Sequence, residues 1–186
     1  FIDDIRIDGM LHGVLKFSDH PRAQIRKIDV AAAENMPGVV RVFTADDIPG
    51  ERIIGVIHQD WSVMIAAGET TRYIGDVLAG VVAENEAIAR RAAGAIEVEY
   101  QVKQPLTDMH AAESSPIKIH EAGNLLSVSR IQRGDDIASV LKASVHVVEA
   151  TFKTQRVEHG FLETEVAIAL PSGPDGVELF VQSHPL

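Results

Sequence analysis

The feature that most constrains the fold is a nearly unbroken apolar run between Asp76 and Ala83. After Asp76, this segment contains only aliphatic side chains and Gly80. A strand without a polar face has to be covered on both sides, so the run predicts a buried central strand. The run is far too short to span a membrane.

A helix and a second strand are predicted directly after this run. Asn85 is a preferred helix N-cap, and Glu86 lies in the first turn, where the helix dipole favours an acid. The predicted helix ends near Gly94, and residues 96–102 then alternate between apolar and polar side chains, which is typical of a strand. Four apolar side chains share one face of the helix: Ile88, Ala92, Ala95 and Ile96.

Upstream of the run, the sequence predicts three strands, over residues 10–17, 25–30 and 39–43. A short helix over 31–36 is expected between the second and third strands, with Asp29 as its cap. Residues 44–47 resemble a capping box, with an acid three positions after Thr44. Residues 51–70 are less regular.

Downstream, residues 106–124 are predicted to form a connector, since prolines and glycine replace large apolar residues there. A second unit over 125–186 is expected to contain a helix over 136–142. Its predicted strands cover 125–132, 144–156, 164–170 and 177–183, the last two as a hairpin with Val166, Ile168 and Leu170 on one face. The second unit has too few helices to cover its strands.

Composition excludes several classes of function. The chain contains no cysteine, which excludes disulfides, iron–sulfur clusters held by this chain, thiolate zinc sites and a cysteine nucleophile. Its net charge of −10 argues against nucleic acid as a partner, because phosphate binding needs a basic surface. Arg22, Arg26 and Lys27 are too few to reverse that balance.

Candidate chemistry is concentrated in residues 158–163. His159 and Glu163 would share a face of a helix and could bind a metal there. Gly160 and the β-branched flanks favour a strand or bend instead, so a structural or hydrogen-bonding role is the preferred interpretation. Glu163 and Glu165 could act as an acid–base pair on one strand face, but paired surface carboxylates are far more common.

No other residue pattern defines a catalytic or metal site. The remaining histidines show no ligand spacing, and no Gly-x-Ser-x-Gly elbow is present, although spacing alone leaves Ser-His-Asp catalysis open. Gly134-Asp135 lacks the further glycines of a phosphate loop. The opening residues from Phe1 lack the basic and apolar regions of a signal peptide. The chain stops just after a predicted strand, so a piece of a longer polypeptide is expected; a complete small domain is the alternative.

Several short motifs together resemble the molybdenum-binding subunit of the xanthine dehydrogenase / aldehyde oxidase family of molybdenum hydroxylases. Those similar to its hammerhead domain are GMLHG (9–13), SDHPRA (18–23), MPGVV (36–40), FTADDIPG (43–50), RYIGD (72–76) and the segment 87–100. GNL (123–125), RGD (133–135) and EHGFLE (158–163) resemble the start of the molybdopterin-binding region. The resemblance implies an α+β fold: an α/β hammerhead domain over 1–105, then, after the connector, the first strands of an incomplete molybdopterin-binding domain over 125–186.

This family oxidises purine-like heterocycles or aldehydes by metal-hydroxide attack and hydride transfer to a ligand of molybdenum, with a glutamate as base. Xanthine-like substrates are the leading expectation; aldehydes and carbon monoxide stay open. The resemblance implies a molybdenum–molybdopterin cofactor in the intact enzyme, with iron–sulfur clusters and FAD on other domains or subunits. The implied partners are the remainder of the molybdenum subunit, iron–sulfur and flavin subunits and a small-molecule substrate. The resemblance implies no nucleic-acid or membrane partner and a location in the cytoplasm.

The family's Phe-Gly-Gly loop and base glutamate are absent, so this part alone is expected to bind no cofactor and to be inactive. Xanthine-dehydrogenase-like members place a Gln near the end of the 178–181 strand, where it hydrogen-bonds an oxygen ligand of molybdenum. A gap-free alignment puts His184 there. Gln182, on the same predicted strand face, is the alternative candidate for this contact. A second alternative is that His184 only ends the strand and contacts no cofactor. The alternative function is a non-catalytic domain that docks an enzyme subunit or other protein.

Overall fold

The computed structural model describes residues 1–55, 58–158, 160–162 and 164–182. Their contacts form two compact units. The larger unit comprises residues 8–128. The smaller unit joins residues 1–7 to the described residues from 129 onward.

The larger unit contains the expected mixture of strands and helices. Its strands are β1 (His12–Phe17), β2 (Ala23–Asp29), β3 (Val39–Phe43), β4 (Ile53–Ile54), β5 (Trp61–Ser62), β6 (Val77–Ala83) and β7 (Glu97–Val102). Its α-helices are α1 (Ala31–Glu34), α2 (Glu86–Gly94) and α3 (Met109–Ser114), and Ala45–Asp47 is a 3₁₀-helix. The smaller unit contains a 3₁₀-helix (Ile2–Asp4), α4 (Ile137–Ala143), β8 (Val166–Ser172) and β9 (Gly176–Gln182).

Strand β6 is the central strand of an antiparallel sheet, as its apolar sequence predicts. It pairs with β1 on one side and β3 on the other, so that Val81 lies between Val14 and Val42. On one face of the sheet, Val81 packs with buried residues of α2. From the other face, Leu78 packs against Ile25 and Ile65. The predicted cover on both sides is therefore confirmed.

A second antiparallel pair, β2 with β7, supplies part of that cover. Tyr100 lies opposite Ile25 and Val98 opposite Ile28 in its register. Ile28 and Val98 also contact both buried clusters of the unit. The alternating sequence of β7 forms the predicted strand and places Val98 and Tyr100 inward, whereas Val102 at its end is exposed.

Helix α2 begins as predicted, but its buried face is shifted. The Asn85 side-chain oxygen accepts a hydrogen bond from the Ile88 backbone N–H at 3.0 Å. Ala89, Ala92, Ala93 and Ile96 are the buried residues, whereas Ile88 and Ala95 are only half-buried. The small alanines let the helix approach the sheet closely, which leaves the longer Ile88 at the margin.

Ile88 lies over Gly38, the residue that follows the turn after α1. Gly38 has a φ of +84°, and a Cβ atom there would lie 2.6 Å from Ile88 Cδ1. Glycine satisfies both the left-handed backbone and the close approach of the side chain.

Two predicted strands are wrong. Residues 125–132 and 144–156 form no strand in the described structure, and Val148 and Phe152 are 92% and 90% exposed. A strand exists only when a neighbouring strand satisfies its backbone groups. No described segment pairs with these residues.

The predicted connector contains structure that its composition did not indicate. Helix α3 begins after Asp108, whose carboxylate accepts hydrogen bonds from the backbone N–H groups of His110 and Ala111 at 2.8 and 2.9 Å.

In the irregular segment 51–70, β4 and β5 pair as a short ladder. No described helix is long and apolar enough to cross a membrane.

The double cover of β6 predicts a large cost for truncating Leu78, which is fully buried. Leu78→Ala should lower the free energy of unfolding by about 2–5 kcal/mol, because the truncation loses apolar burial and leaves a cavity. The matched control is Leu15→Ala on the neighbouring strand, where the side chain is 47% exposed. Urea unfolding followed by circular dichroism measures both. Equal losses for the two variants would contradict this packing.

Candidate functional site

Gln182, one of the two predicted cofactor contacts, lies at the end of the β8–β9 hairpin. Its antiparallel register places Val166 opposite Gln182, Ile168 opposite Phe180, and Leu170 opposite Glu178. The reversal occurs at Gly173, whose φ of +66° lies in the left-handed region. The hairpin predicted from two alternating segments and a glycine-rich turn is therefore confirmed.

The two faces of this hairpin differ in cover. Val166, Ile168 and Leu170 are half-buried on one face, as predicted. Side chains opposite one another in a ladder project to the same side, so Gln182 and Phe180 share this face. The other face exposes its apolar side chains, including Leu179 at 62% and Val181 at 54%.

Gln182 is the last described residue of β9 and is half-buried. Among the residues that the structure describes, none hydrogen-bonds its side-chain amide. The amide therefore has two N–H donors and a carbonyl available to a ligand. His184, the other predicted cofactor contact, lies outside the described residues.

Two of the three candidate metal and acid–base residues lie outside the part of the chain that the structure describes. His159 and Glu163 lie outside the described residues, while Phe161 and Leu162 are exposed loop residues. Glu165 lies immediately before β8. Within the described ranges, no group of three or more His, Asp or Glu side chains is arranged to hold a metal ion.

Two histidines that the sequence left without a role link the segment before β5 to the connector and to Leu126 just after it. His120 Nδ1 lies 2.7 Å from Asp60 Oδ2, and His58 Nε2 lies 3.2 Å from the Leu126 carbonyl oxygen. About sixty residues separate the members of each pair, so no sequence spacing could have indicated them.

Asn124, part of the GNL motif, organises the same connector. Its side-chain amide donates to the carbonyl oxygens of Ala112 and Ile117 at 2.8 and 2.7 Å. Its side-chain oxygen accepts from the Ile119 N–H at 2.8 Å. One side chain thus closes the turn that follows α3, which explains why asparagine suits this position.

The RYIGD motif forms the turn that leads into β6. The buried Asp76 carboxylate accepts hydrogen bonds from the backbone N–H groups of Arg72 and Tyr73 at 2.5 and 3.3 Å. The carboxylate replaces backbone partners that a tight turn cannot provide. The motif therefore has a structural role at the start of the central strand.

Arg52 and Glu69 form an ion pair that spans the irregular segment. Arg52 Nη2 donates to Glu69 Oε1 at 2.8 Å, and the Ala66 N–H donates to Glu69 Oε2 at 2.8 Å. The hydrogen bond from Arg52 is the main reason that the pKa of Glu69 lies below its usual value of 4.5. The carboxylate is therefore favoured in the folded state.

The chain matches two known family models. Residues 1–104 match the family model described as "Aldehyde oxidase and xanthine dehydrogenase, a/b hammerhead domain". Residues 119–185 match the model described as "Molybdopterin cofactor-binding domain". The chain belongs to the aldehyde oxidase and xanthine dehydrogenase family. The predicted family and fold class are confirmed.

Individual relatives agree with this assignment. A probable xanthine dehydrogenase subunit from Bacillus subtilis is 33% identical over 97% of this chain, which spans 24% of that protein. Xanthine dehydrogenase/oxidase from Gallus gallus is 29% identical over the whole chain, which spans 13% of that protein. The chain therefore spans about a quarter or less of the length of these relatives.

Solved structures give the same result. Quinoline 2-oxidoreductase from Pseudomonas putida 86 superimposes with a TM-score of 0.83 at 30% identity, covering 97% of this chain and 24% of that chain. Aldehyde oxidoreductase from Desulfovibrio gigas gives 0.82 at 26% identity, covering 96% and 21%.

The Arg52–Glu69 pair predicts a defined pH dependence of stability. Because the folded-state pKa of Glu69 is lowered, the pair stabilises the fold fully above about pH 4.5 and loses this effect as the pH falls through the folded-state pKa. Glu69→Gln should cost about 1 kcal/mol or less at neutral pH. The difference from wild type should shrink below pH 4.5.

Urea unfolding at several pH values tests this prediction. Glu113→Gln, an exposed change of the same kind on α3, serves as the control and should show no such pH-dependent difference. A Glu69→Gln deficit that stays constant down to about pH 3 would rule out the carboxylate as its source.

Proposed function

We propose that this chain is part of a molybdenum hydroxylase that oxidises a purine-like heterocycle or an aldehyde. It contributes the hammerhead domain over 1–105 and the start of the molybdopterin-binding domain over 125–186. The observation that most strongly supports this proposal is the superposition of 97% of the chain on quinoline 2-oxidoreductase. That enzyme's name and the xanthine dehydrogenase relatives favour a heterocyclic substrate.

The chemistry of the β9 strand end fits one contact to such a cofactor. Gln182 presents an otherwise unused amide on the partly covered face of the hairpin, which suits a hydrogen bond to an oxygen atom. When bound, the molybdenum–molybdopterin cofactor supplies the two-electron oxidation and the oxygen transfer. His184 is the first candidate for this contact by alignment, and Gln182 is the alternative.

The rest of the reaction requires groups beyond these 186 residues. With no cysteine, the chain cannot ligate an iron–sulfur cluster through thiolates. Electron transfer is therefore assigned to iron–sulfur clusters and FAD on other domains or subunits, and the enzyme to the cytoplasm. Residues that select the substrate are likewise assigned to the remainder of the molybdenum subunit.

The function is tested on the full-length protein. It should contain molybdenum and oxidise xanthine or quinoline in the presence of a dye electron acceptor, with an aliphatic aldehyde as the competing substrate class. A molybdenum-loaded protein that oxidises none of these would refute the proposal. A reading frame that stops shortly after residue 186 would instead support the non-catalytic docking alternative.

The chain alone should bind no stoichiometric molybdenum and show no dehydrogenase activity. One strand end cannot enclose a pterin that has to be held between several segments of the protein. Elemental analysis of the purified chain measures this, with the full-length protein as the positive control. Stoichiometric molybdenum in the isolated chain would refute the expectation.

The cofactor contact is tested by substitutions in the full-length protein. His184→Ala should lower turnover by about 10- to 100-fold, the usual effect of removing a group that supports a metal centre. Gln182→Ala tests the alternative, and Ser183→Ala, which strand alternation predicts for the opposite face, is the matched control. Wild-type turnover with full molybdenum occupancy in His184→Ala would show that His184 is not the contact.

A further inference from the structure

A basic pocket lies in the larger unit, where the connector meets the β2 and β6 ends. It has a volume of about 220 Å³ and is lined by Arg22, Thr70, Thr71, Arg72, Lys118 and Ile119. None of these residues belongs to the proposed cofactor site. Arg22 and Arg72 come from the body of the unit, whereas Lys118 comes from the connector.

Three cationic residues line this pocket in a chain whose net charge is −10. Among the described residues, Arg22, Arg72 and Lys118 have no carboxylate within ion-pair distance. Like charges around one cavity repel one another, so the arrangement is costly without a bound anion.

Backbone carbonyl groups hold the two guanidinium groups in place. Arg22 Nη1 donates to the Gln104 carbonyl oxygen at 3.2 Å, and Arg72 Nη1 donates to the Asp60 carbonyl oxygen. A carbonyl oxygen orients a guanidinium group without cancelling its charge. The remaining N–H groups of both arginines are thus available to a ligand.

Two acidic residues that neighbour the lining residues contact other side chains. The Glu69 carboxylate, whose pKa Arg72 helps to lower, is bound by Arg52. The Asp60 Oδ2 atom lies 2.7 Å from His120 Nδ1. These contacts reduce the competition of protein carboxylates for the pocket.

A hydroxyl donor completes the lining. Thr70 Oγ1 accepts a hydrogen bond from Lys103 Nζ at 2.9 Å, which leaves the hydroxyl hydrogen free to donate. Lys103 adds a further positive charge behind Thr70. Thr71 is different, because its buried Oγ1 accepts from the Ala23 N–H at 2.8 Å and serves the fold.

We propose that this pocket binds a phosphate group, either as the free ion or as the monoester of a small molecule. Two planar guanidinium forks, an ammonium group and a hydroxyl offer donors from several directions, which suits a tetrahedral dianion better than a planar carboxylate. The volume is below the range of about 300–1,000 Å³ for drug-sized ligands, so a small anion is the appropriate size. Because the lining includes the connector and the body of the unit, the bound anion would also fasten the connector.

Titration calorimetry on the chain at constant ionic strength tests this proposal, with inorganic phosphate and glycerol phosphate as probes. Both should titrate to one site, and Arg72→Gln or Lys118→Gln should weaken binding about tenfold, as expected for a charge-assisted hydrogen bond. Arg91→Gln, an equal change of charge on the exposed side of α2, should leave the affinity within about twofold. Binding of phosphate alone identifies the free ion; equal or tighter binding of glycerol phosphate identifies a monoester.

A measurement on the wild-type chain keeps the test independent of folding defects in the variants. Phosphate should protect Lys118 from an amine-reactive reagent, as followed by mass spectrometry, while the exposed Lys142 on α4 reacts unchanged. No saturable binding, an equal weakening by Arg91→Gln, or unchanged labelling of Lys118 would each overturn the proposal.

Discussion

The burial of β6 on both faces is the constraint on which the larger unit depends. Ala79, Val81 and Ala83 require the alanine face of α2, while Leu78 requires Ile25 and Ile65 on the other side. Each layer is present because an apolar strand cannot leave a face in water. The RYIGD turn precedes this strand and the Asn85 cap follows it. These polar contacts therefore determine where β6 begins and where α2 begins.

The described part of the smaller unit contains no such central strand. Its hairpin satisfies the backbone of β8 and β9 internally, but Val177 and Leu179 remain 64% and 62% exposed. An isolated two-stranded hairpin is only marginally stable in water. In the proposed function, further chain of the molybdopterin-binding domain covers this face, and the cofactor contact at the end of β9 is organised only then.

Charge is distributed unevenly in the larger unit. Although the chain is acidic overall, three cationic residues line the basic pocket. The neighbouring carboxylates of Glu69 and Asp60 contact other side chains. The connector that contributes Lys118 is held by contacts of His120 and Asn124, and His58 contacts Leu126 just after it. The connector is therefore part of the larger unit, and it contributes Lys118 to the proposed phosphate pocket.

The sequence by itself determined the elements whose signals are local. The Asn85 cap, the apolar run of β6, the alternation of β7 and the turn of the β8–β9 hairpin each lie within a few residues, so periodicity and capping chemistry identify them. Motifs spread along the chain also identified the family. Only the tertiary structure decided which strands formed, because residues 125–132 and 144–156 have strand composition but no described partner. It also brought together Arg22, Arg72 and Lys118, and Asp60 with His120, since contacts between residues this far apart in sequence depend on how the chain packs.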